Sequence, residues 1–152
     1  MIKKILVANR GEIAVRIIRA CREMGIRSVA IYTDADRHAL HVKKADESYN
    51  IGSDPVVGYL NAHNIVNLAV ASGCDALHPG YGFLSENPGF AERLSDEGIA
   101  FIGPRPEHIH AFGSKHSARE IARNCEVALL PGSGLLDDAE HALAEAERIG
   151  YP

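Results

Sequence analysis

Cysteine is scarce in this chain, and a basic excess, a long apolar run and a metal-binding spacing are missing altogether. Cys21, Cys74 and Cys125 stand far apart in 152 residues, with neither the paired spacing of a zinc site nor that of a redox dithiol. Cys21 falls on the apolar stripe of a helix, where a thiol acts as a small buried hydrophobe. A formal net charge of −4 and a pI near 6.0 argue against a general nucleic-acid surface. No apolar stretch approaches the roughly 18–20 residues that a transmembrane helix needs. The short apolar stretch after Met1-Ile-Lys-Lys is no signal-peptide core, so no membrane partner and a cytoplasmic home are expected. Eight histidines include no H-E-x-x-H pattern. His38 and His41, three apart and without a third ligand, read as residues at the surface or behind a site.

What is present is an alternation. Hydrophobic content of 46% and charged content of 24% suit a globular protein of one domain with the beginning of a second. Ile5–Ala8 reads as a buried strand, Asn9–Arg10 as a tight turn, and Gly11–Met24 as a helix with Ala14, Ile17, Ile18, Cys21 and Met24 on its inner stripe, ended by Gly25. Strands follow at Ser28–Tyr32, Ser48–Ile51, Ala76–His78 and Ala100–Ile102. Between them lie helices over Leu60–Ala71 and from an Asn87 or Ser85 cap to about Ser95. The polar turn Thr33–Asp36 closes the second strand at the carboxyl edge, where ligands of open α/β sheets collect. The rhythm predicts an α/β fold with a doubly wound, largely parallel sheet. After Pro104 the pattern is helical: Pro106–Phe112, then Ser114–Asn124 with Ser114 or Ser117 as a cap. Val127–Leu130 is extended, Pro131–Gly134 a turn, and Asp137–Ile149 a helix with Asp137 and Asp138 in its first turn. The halt at Gly150-Tyr-Pro152 resembles a cut rather than a domain end.

Three features carry candidate chemistry. His78-Pro-Gly-Tyr-Gly82 places two glycines just past a strand end, where positive φ and close approach to a ligand are available. Spacing alone is equally served by a tight turn. It is no dinucleotide fingerprint, since the sixth position is Ser85 and the glycines do not open a helix. Lys115 stands in the first turn of a helix, where a cation opposes the helix dipole unless an anion is bound, although a solvated lysine is the other reading. On the first helix, Glu12–Arg16 and Arg19–Glu23 are i,i+4 pairs on the face opposite the apolar stripe, which a solvated charged face also explains.

Ala8-Asn-Arg-Gly-Glu-Ile-Ala14, His78-Pro-Gly-Tyr-Gly-Phe-Leu-Ser-Glu-Asn87 and Phe101-Ile-Gly-Pro104, in that order, resemble the N-terminal domain of biotin carboxylase. Phe112-Gly-Ser-Lys-His-Ser-Ala-Arg119 resembles the family's Met-Gly-x-Lys-x-x-Ala-Arg/Lys motif, with Phe112 in place of Met. The resemblance implies a Rossmann-like domain over 1–112 and, over 113–152, the helical start of an ATP-grasp domain. It further implies an ATP-dependent ligase that carboxylates biotin with bicarbonate, Lys115 on ATP phosphate, and Tyr81 and Gly82 beside biotin. Arg19 and Glu23 match positions at a homodimer interface. Mg2+ ligands and the remaining catalytic residues would follow Pro152, which makes residues 1–152 inactive alone. A biotin carboxyl carrier domain and a carboxyltransferase component are the implied partners. Val127–Leu136 and Phe112–Glu120 are most similar to urea carboxylases. Another ATP-grasp ligase, such as a carbamoyl-phosphate synthetase, or a non-catalytic assembly module are the alternatives.

Overall fold

The computed structural model describes residues 1–151. They form two compact units, divided between Ile109 and His110. In the first, the apolar runs become the strands Lys4–Val7 (β1), Arg27–Tyr32 (β2), Glu47–Asn50 (β3), Ala76–His78 (β4) and Ala100–Phe101 (β5). Their order is β3-β2-β1-β4-β5, and every neighbouring pair is parallel. The doubly wound sheet expected from the alternation is therefore observed.

The register puts Leu6 beside Val29 and Leu77 at the centre. Successive strand residues face opposite sides, so a central parallel strand must be apolar on both. Ile5 and Val7 pack on one face with Ala14, Ile18 and Cys21 of the helix Gly11–Glu23 (α1). The short helix Leu40–Lys44 (α2) lies against α1. Leu6 and Ala8 pack on the other face with Tyr59 of Val57–Leu60 (α3), Ile65, Val66 and Ala69 of Ala62–Ala71 (α4), and Phe90 and Leu94 of Pro88–Asp96 (α5).

Several boundaries differ from the pattern for local reasons. The helix read over Leu60–Ala71 is broken at Asn61, whose side chain accepts from the Asn64 amide at 3.1 Å and caps α4. Met24 is no part of the inner stripe: α1 ends at Glu23, and Met24 is 73% exposed. Asn87 caps α5, with Pro88 at the first helical position, where its missing N–H costs nothing.

Pro106–Phe112 (α6) runs across the division between the units. The second unit holds Lys115–Asn124 (α7), capped by Ser114, and Ala139–Ile149 (α8). Asp138 is the cap of α8, accepting from the His141 amide at 2.8 Å, so Asp137 and Asp138 precede the helix rather than opening its first turn. The segment Val127–Leu130 pairs with no strand among the described residues. It is pinned instead by side chains: Arg119 Nη2 donates to the Leu130 carbonyl at 2.9 Å, and Arg148 Nη2 to that of Gly132 at 3.2 Å.

Because the β1–β2–β3 half winds away from β1 and β4–β5 lies on its other side, the winding reverses between β1 and β4. Asn9, fully buried, spans that point. Its Nδ2 donates to the carbonyls of Pro79 at 2.7 Å and Tyr81 at 3.0 Å. Between those carbonyls Gly80 has φ +69, and a Cβ there would meet Asn9 Nδ2 at 2.6 Å and Ile13 Cγ2 at 2.7 Å. Gly82 has φ +67 with nothing within 4 Å of that position. Gly80→Ala is expected to cost about 2–5 kcal/mol, backbone strain plus overpacking. Gly82→Ala should cost about 1–2 kcal/mol, strain alone. Urea unfolding of the two variants measures the difference, and equal losses would contradict the close approach at Gly80.

Candidate functional site

Three loops meet at the carboxyl edge of the sheet: Asn9–Arg10 after β1, Thr33–Asp36 after β2, and Pro79–Leu84 after β4. Arg10 reaches from the first to the second as a two-pronged clamp. Its Nε donates to Asp36 Oδ2 at 2.7 Å and its Nη2 to Oδ1 at 2.6 Å. The Tyr59 hydroxyl donates to Asp36 Oδ2 at 2.9 Å, and the Arg10 guanidinium stands 5.9 Å over the Tyr59 ring. Beyond Tyr59, Phe83 of the third loop stacks on its ring, with centroids 5.4 Å apart and planes at 29°.

Charge follows from this geometry. The Arg10 guanidinium holds the Asp36 carboxyl below the usual carboxylate range, against the opposing effect of burial, so Asp36 stays ionised. Burial, reinforced by the Asp36 carboxylate, pushes the Tyr59 phenol up, so Tyr59 stays neutral and donates. Asp34, its neighbour in the turn, is taken up by Arg37 at 2.8 Å and Asn50 at 2.7 Å. In dinucleotide-binding folds a carboxylate in this region receives a ribose hydroxyl. Here both carboxylates are engaged by their own chain, which agrees with the missing glycine fingerprint.

Two imidazoles lie close by. His78 Nδ1 accepts from the Gly80 amide at 3.0 Å, which puts the proton of the neutral ring on Nε2. Burial lowers its pKa. His41 is completely buried and not at the surface: α2 turns it inward, with Nε2 3.3 Å from the Ile31 carbonyl and Nδ1 without a partner among the described residues. Burial lowers its pKa too. His38 is exposed.

Tyr81 and Gly82 follow the Asn9 clamp on the third loop. Tyr81 is 67% exposed and stands, with His78, Ile13, Ile17, Met24 and Ile102, around an open apolar groove of about 600 Å³. Arg19 and Glu23 pair at 2.8 Å and Glu12 and Arg16 at 3.5 Å, all four exposed on α1. Lys115, in the second unit, is exposed at the first position of α7, directly after the Ser114 cap. Pattern reading missed Asn9, Arg10, Asp36, Tyr59 and Phe83 as a connected set. The available signals were the turn after β1 and the polar turn after β2; nothing in the spacing marked Tyr59.

Comparison with known proteins places this geometry. The family described as biotin carboxylase, N-terminal domain, matches residues 1–109. Biotin carboxylase 1 of Bacillus subtilis is 52% identical over 100% of this chain, which spans 34% of that protein. The chloroplastic biotin carboxylase of Arabidopsis thaliana is 54% identical over 98% of the chain and 28% of its own length. A crystal structure of the biotin carboxylase domain dimer of Hydrogenobacter thermophilus 2-oxoglutarate carboxylase, in complex with MgADP, ADP and bicarbonate, superposes with a TM-score of 0.94. It is 52% identical, covering 100% of this chain and 34% of that one. The chain thus spans about a third of the length of such relatives.

The buried imidazoles make stability depend on pH with a definite sign. An unfolded histidine takes up a proton near pH 6.5, whereas His41 and His78 resist it in the fold. Their contribution is complete above about pH 7 and is lost as pH falls through about 6.5 toward the depressed native values. Asp36 adds a second loss below about pH 4, where the unfolded carboxylate protonates first. Thermal melts at constant ionic strength should give a lower Tm at pH 5 than at pH 7.5, with a shallower dependence in His78→Asn. A Tm independent of pH over that interval would contradict the neutral buried rings.

Proposed function

This chain belongs to the biotin carboxylase N-terminal domain family, and we propose that its parent protein carboxylates biotin, using ATP and bicarbonate, as a component of a cytoplasmic biotin-dependent carboxylase. The match of the family to residues 1–109, with more than half of the residues shared with named biotin carboxylases, carries that reading. The first part of the chain supplies the Rossmann-like domain, assigned to residues 1–112. Residues 113–152 open the ATP-grasp lid.

MgATP supplies the phosphoryl group that activates bicarbonate for transfer to N1 of biotin. The chain's own contribution is binding and orientation. Lys115 suits ATP phosphate: a free ammonium at a helix start, where the dipole disfavours it, is offset by an anion. Tyr81 and Gly82 suit the biotin side, because Asn9 fixes the preceding turn and leaves both turned to solvent. Among the described residues no group of three or more His, Cys, Asp or Glu could hold a metal ion. The Mg2+ ligands are assigned, with the rest of the catalytic set, outside residues 1–152. Arg19 and Glu23, on the exposed face of α1, are assigned to a homodimer contact. A carrier domain would deliver biotin, and a carboxyltransferase component would consume the product. Urea as the final acceptor is the finer reading, supported by Val127–Leu136 and Phe112–Glu120. Carboxylation of urea, assayed beside acyl-CoA esters and 2-oxo acids, tests it.

The full-length protein should cleave ATP in a biotin- and bicarbonate-dependent reaction. ATP cleavage indifferent to both would overturn the proposal. Within that enzyme, Lys115→Ala should raise the KM for ATP about tenfold or more, the loss of one charged hydrogen bond, with little change in Tm. An unchanged KM would leave Lys115 a solvated lysine. Residues 1–152 expressed alone should unfold cooperatively but show no biotin-dependent ATPase. Phosphoryl transfer depends on metal and cations gathered around the phosphates, and Lys115 is the one such cation assigned here. Activity from this piece would refute that assignment.

A further inference from the structure

Phe83 and Glu126 are the non-glycine residues with positive φ among the described residues, at +48 and +56. A phenylalanine in the left-handed region persists only where its surroundings over-determine it. What holds Phe83 is the ring of Tyr59, stacked at 5.4 Å. Tyr59 is itself immobile: it is 1% exposed and packs in the core with Leu6, Ala8 and Leu84. Its single side-chain polar atom is bonded to Asp36, which the two Arg10 bonds hold in turn. Arg10 directly follows Asn9, the residue that grips the carbonyls of Pro79 and Tyr81.

Besides Leu84, which anchors its end in the core, the loop after β4 is held at two points, both reached from adjacent residues of the β1 turn. Asn9 holds Pro79–Tyr81 directly. Arg10 holds Phe83 through Asp36 and Tyr59. Between the two fixings lie the Tyr81 side chain and Gly82, exposed to solvent. We propose that Asp36 and Tyr59 are positioning residues that act through Phe83 to set the presentation of Tyr81 and Gly82, and so govern the affinity for biotin without touching it. This rests on the reading above that the loop faces biotin. Lys115, in the other unit, is outside this chain of contacts, so ATP affinity should not respond.

The test uses the full-length enzyme with free biotin as the varied substrate. Phe83→Leu keeps an apolar side chain at a partly exposed position and loses the ring stack. It should raise the KM for biotin about three- to tenfold, with the KM for ATP within about twofold. Tyr59→Leu and Asp36→Asn should move the same constant in the same direction. Phe83→Tyr, which retains the stack, should restore the original value. Independently of activity, Phe83→Leu should speed hydrogen exchange at the Ser85 and Asn87 amides, which are bonded to the carbonyls of Gly82 and Leu84. Tyr81→Ala separates the two ideas. If it raises the KM for biotin while Phe83→Leu changes neither that constant nor exchange, the positioning role is overturned and the reading of the loop stands. If Tyr81→Ala leaves the KM for biotin unchanged, the reading of the loop falls, and the proposed control of biotin affinity with it. Equal rises in both KM values for Phe83→Leu would mark general destabilisation and also overturn the positioning role.

Discussion

The side chain of Asn9 continues a β-ladder past the point where the backbone can no longer do so. The last backbone bond between β1 and β4 runs from the Ala8 amide to the His78 carbonyl at 2.9 Å. Beyond it the strands feed crossovers that leave in different directions, and Pro79 has no N–H to offer. Two buried or half-buried carbonyls would be left without donors, at a cost of about 1–3 kcal/mol each. The Asn9 amide serves both, while its Oδ1 accepts from the Arg10 amide at 2.9 Å. Gly80 follows from the same geometry, because the amide occupies the space a Cβ would need. One residue thus dictates another 71 positions away.

The Arg10–Asp36–Tyr59 group works differently. Asp36 is 8% exposed, and an ion pair there gains little net stability, since desolvation offsets much of the attraction. The Arg10 side chain is 45% exposed, which lowers both the penalty and the gain. What the arrangement supplies is direction. A guanidinium fork bound to both carboxylate oxygens fixes the plane of Asp36, and the remaining lone pair then fixes the Tyr59 hydroxyl. Loops after β1 and β2 and helix α3 are locked in one geometry, and Phe83 inherits it.

Features set by near neighbours were readable before any coordinates. The β1–α1–β2 unit, the parallel order implied by alternation, and the caps Asn87 and Ser114 all depend on residues within a few positions. Where the pattern misled, a competing local group or a distant partner decided. Asn61 and Asp138 captured the Asn64 and His141 amides, which a continuous helix would have bonded to the carbonyls four residues earlier. The burial of His41 was not legible because a five-residue helix carries too little periodicity to reveal its inward face. At the candidate site, the His78–Asn87 motif and the turn at Asn9 were each visible, but not their bond, which joins residues 70 and 72 apart. Tyr59 fell just outside the helix read over Leu60–Ala71; its role exists only once Asp36 and Phe83 are brought to it.

This topology has the strand order of dinucleotide-binding folds, yet the crevice is furnished for another purpose. In those folds a glycine-rich first turn admits a pyrophosphate and a carboxylate near the end of the second strand receives a ribose. Here the first turn presents Asn9 and Arg10, whose side chains cross toward the neighbouring loops, and the carboxylates Asp34 and Asp36 are bound internally. Groups that elsewhere recognise a nucleotide here bond to side chains of their own chain. The architecture of the sheet decides where a ligand can be met, and the side chains at the reversal decide which. The Arg10 fork and the carboxylates of Asp34 and Asp36 are committed to their own chain, and what Asn9 fixes in this crevice is the turn that carries Tyr81 and Gly82.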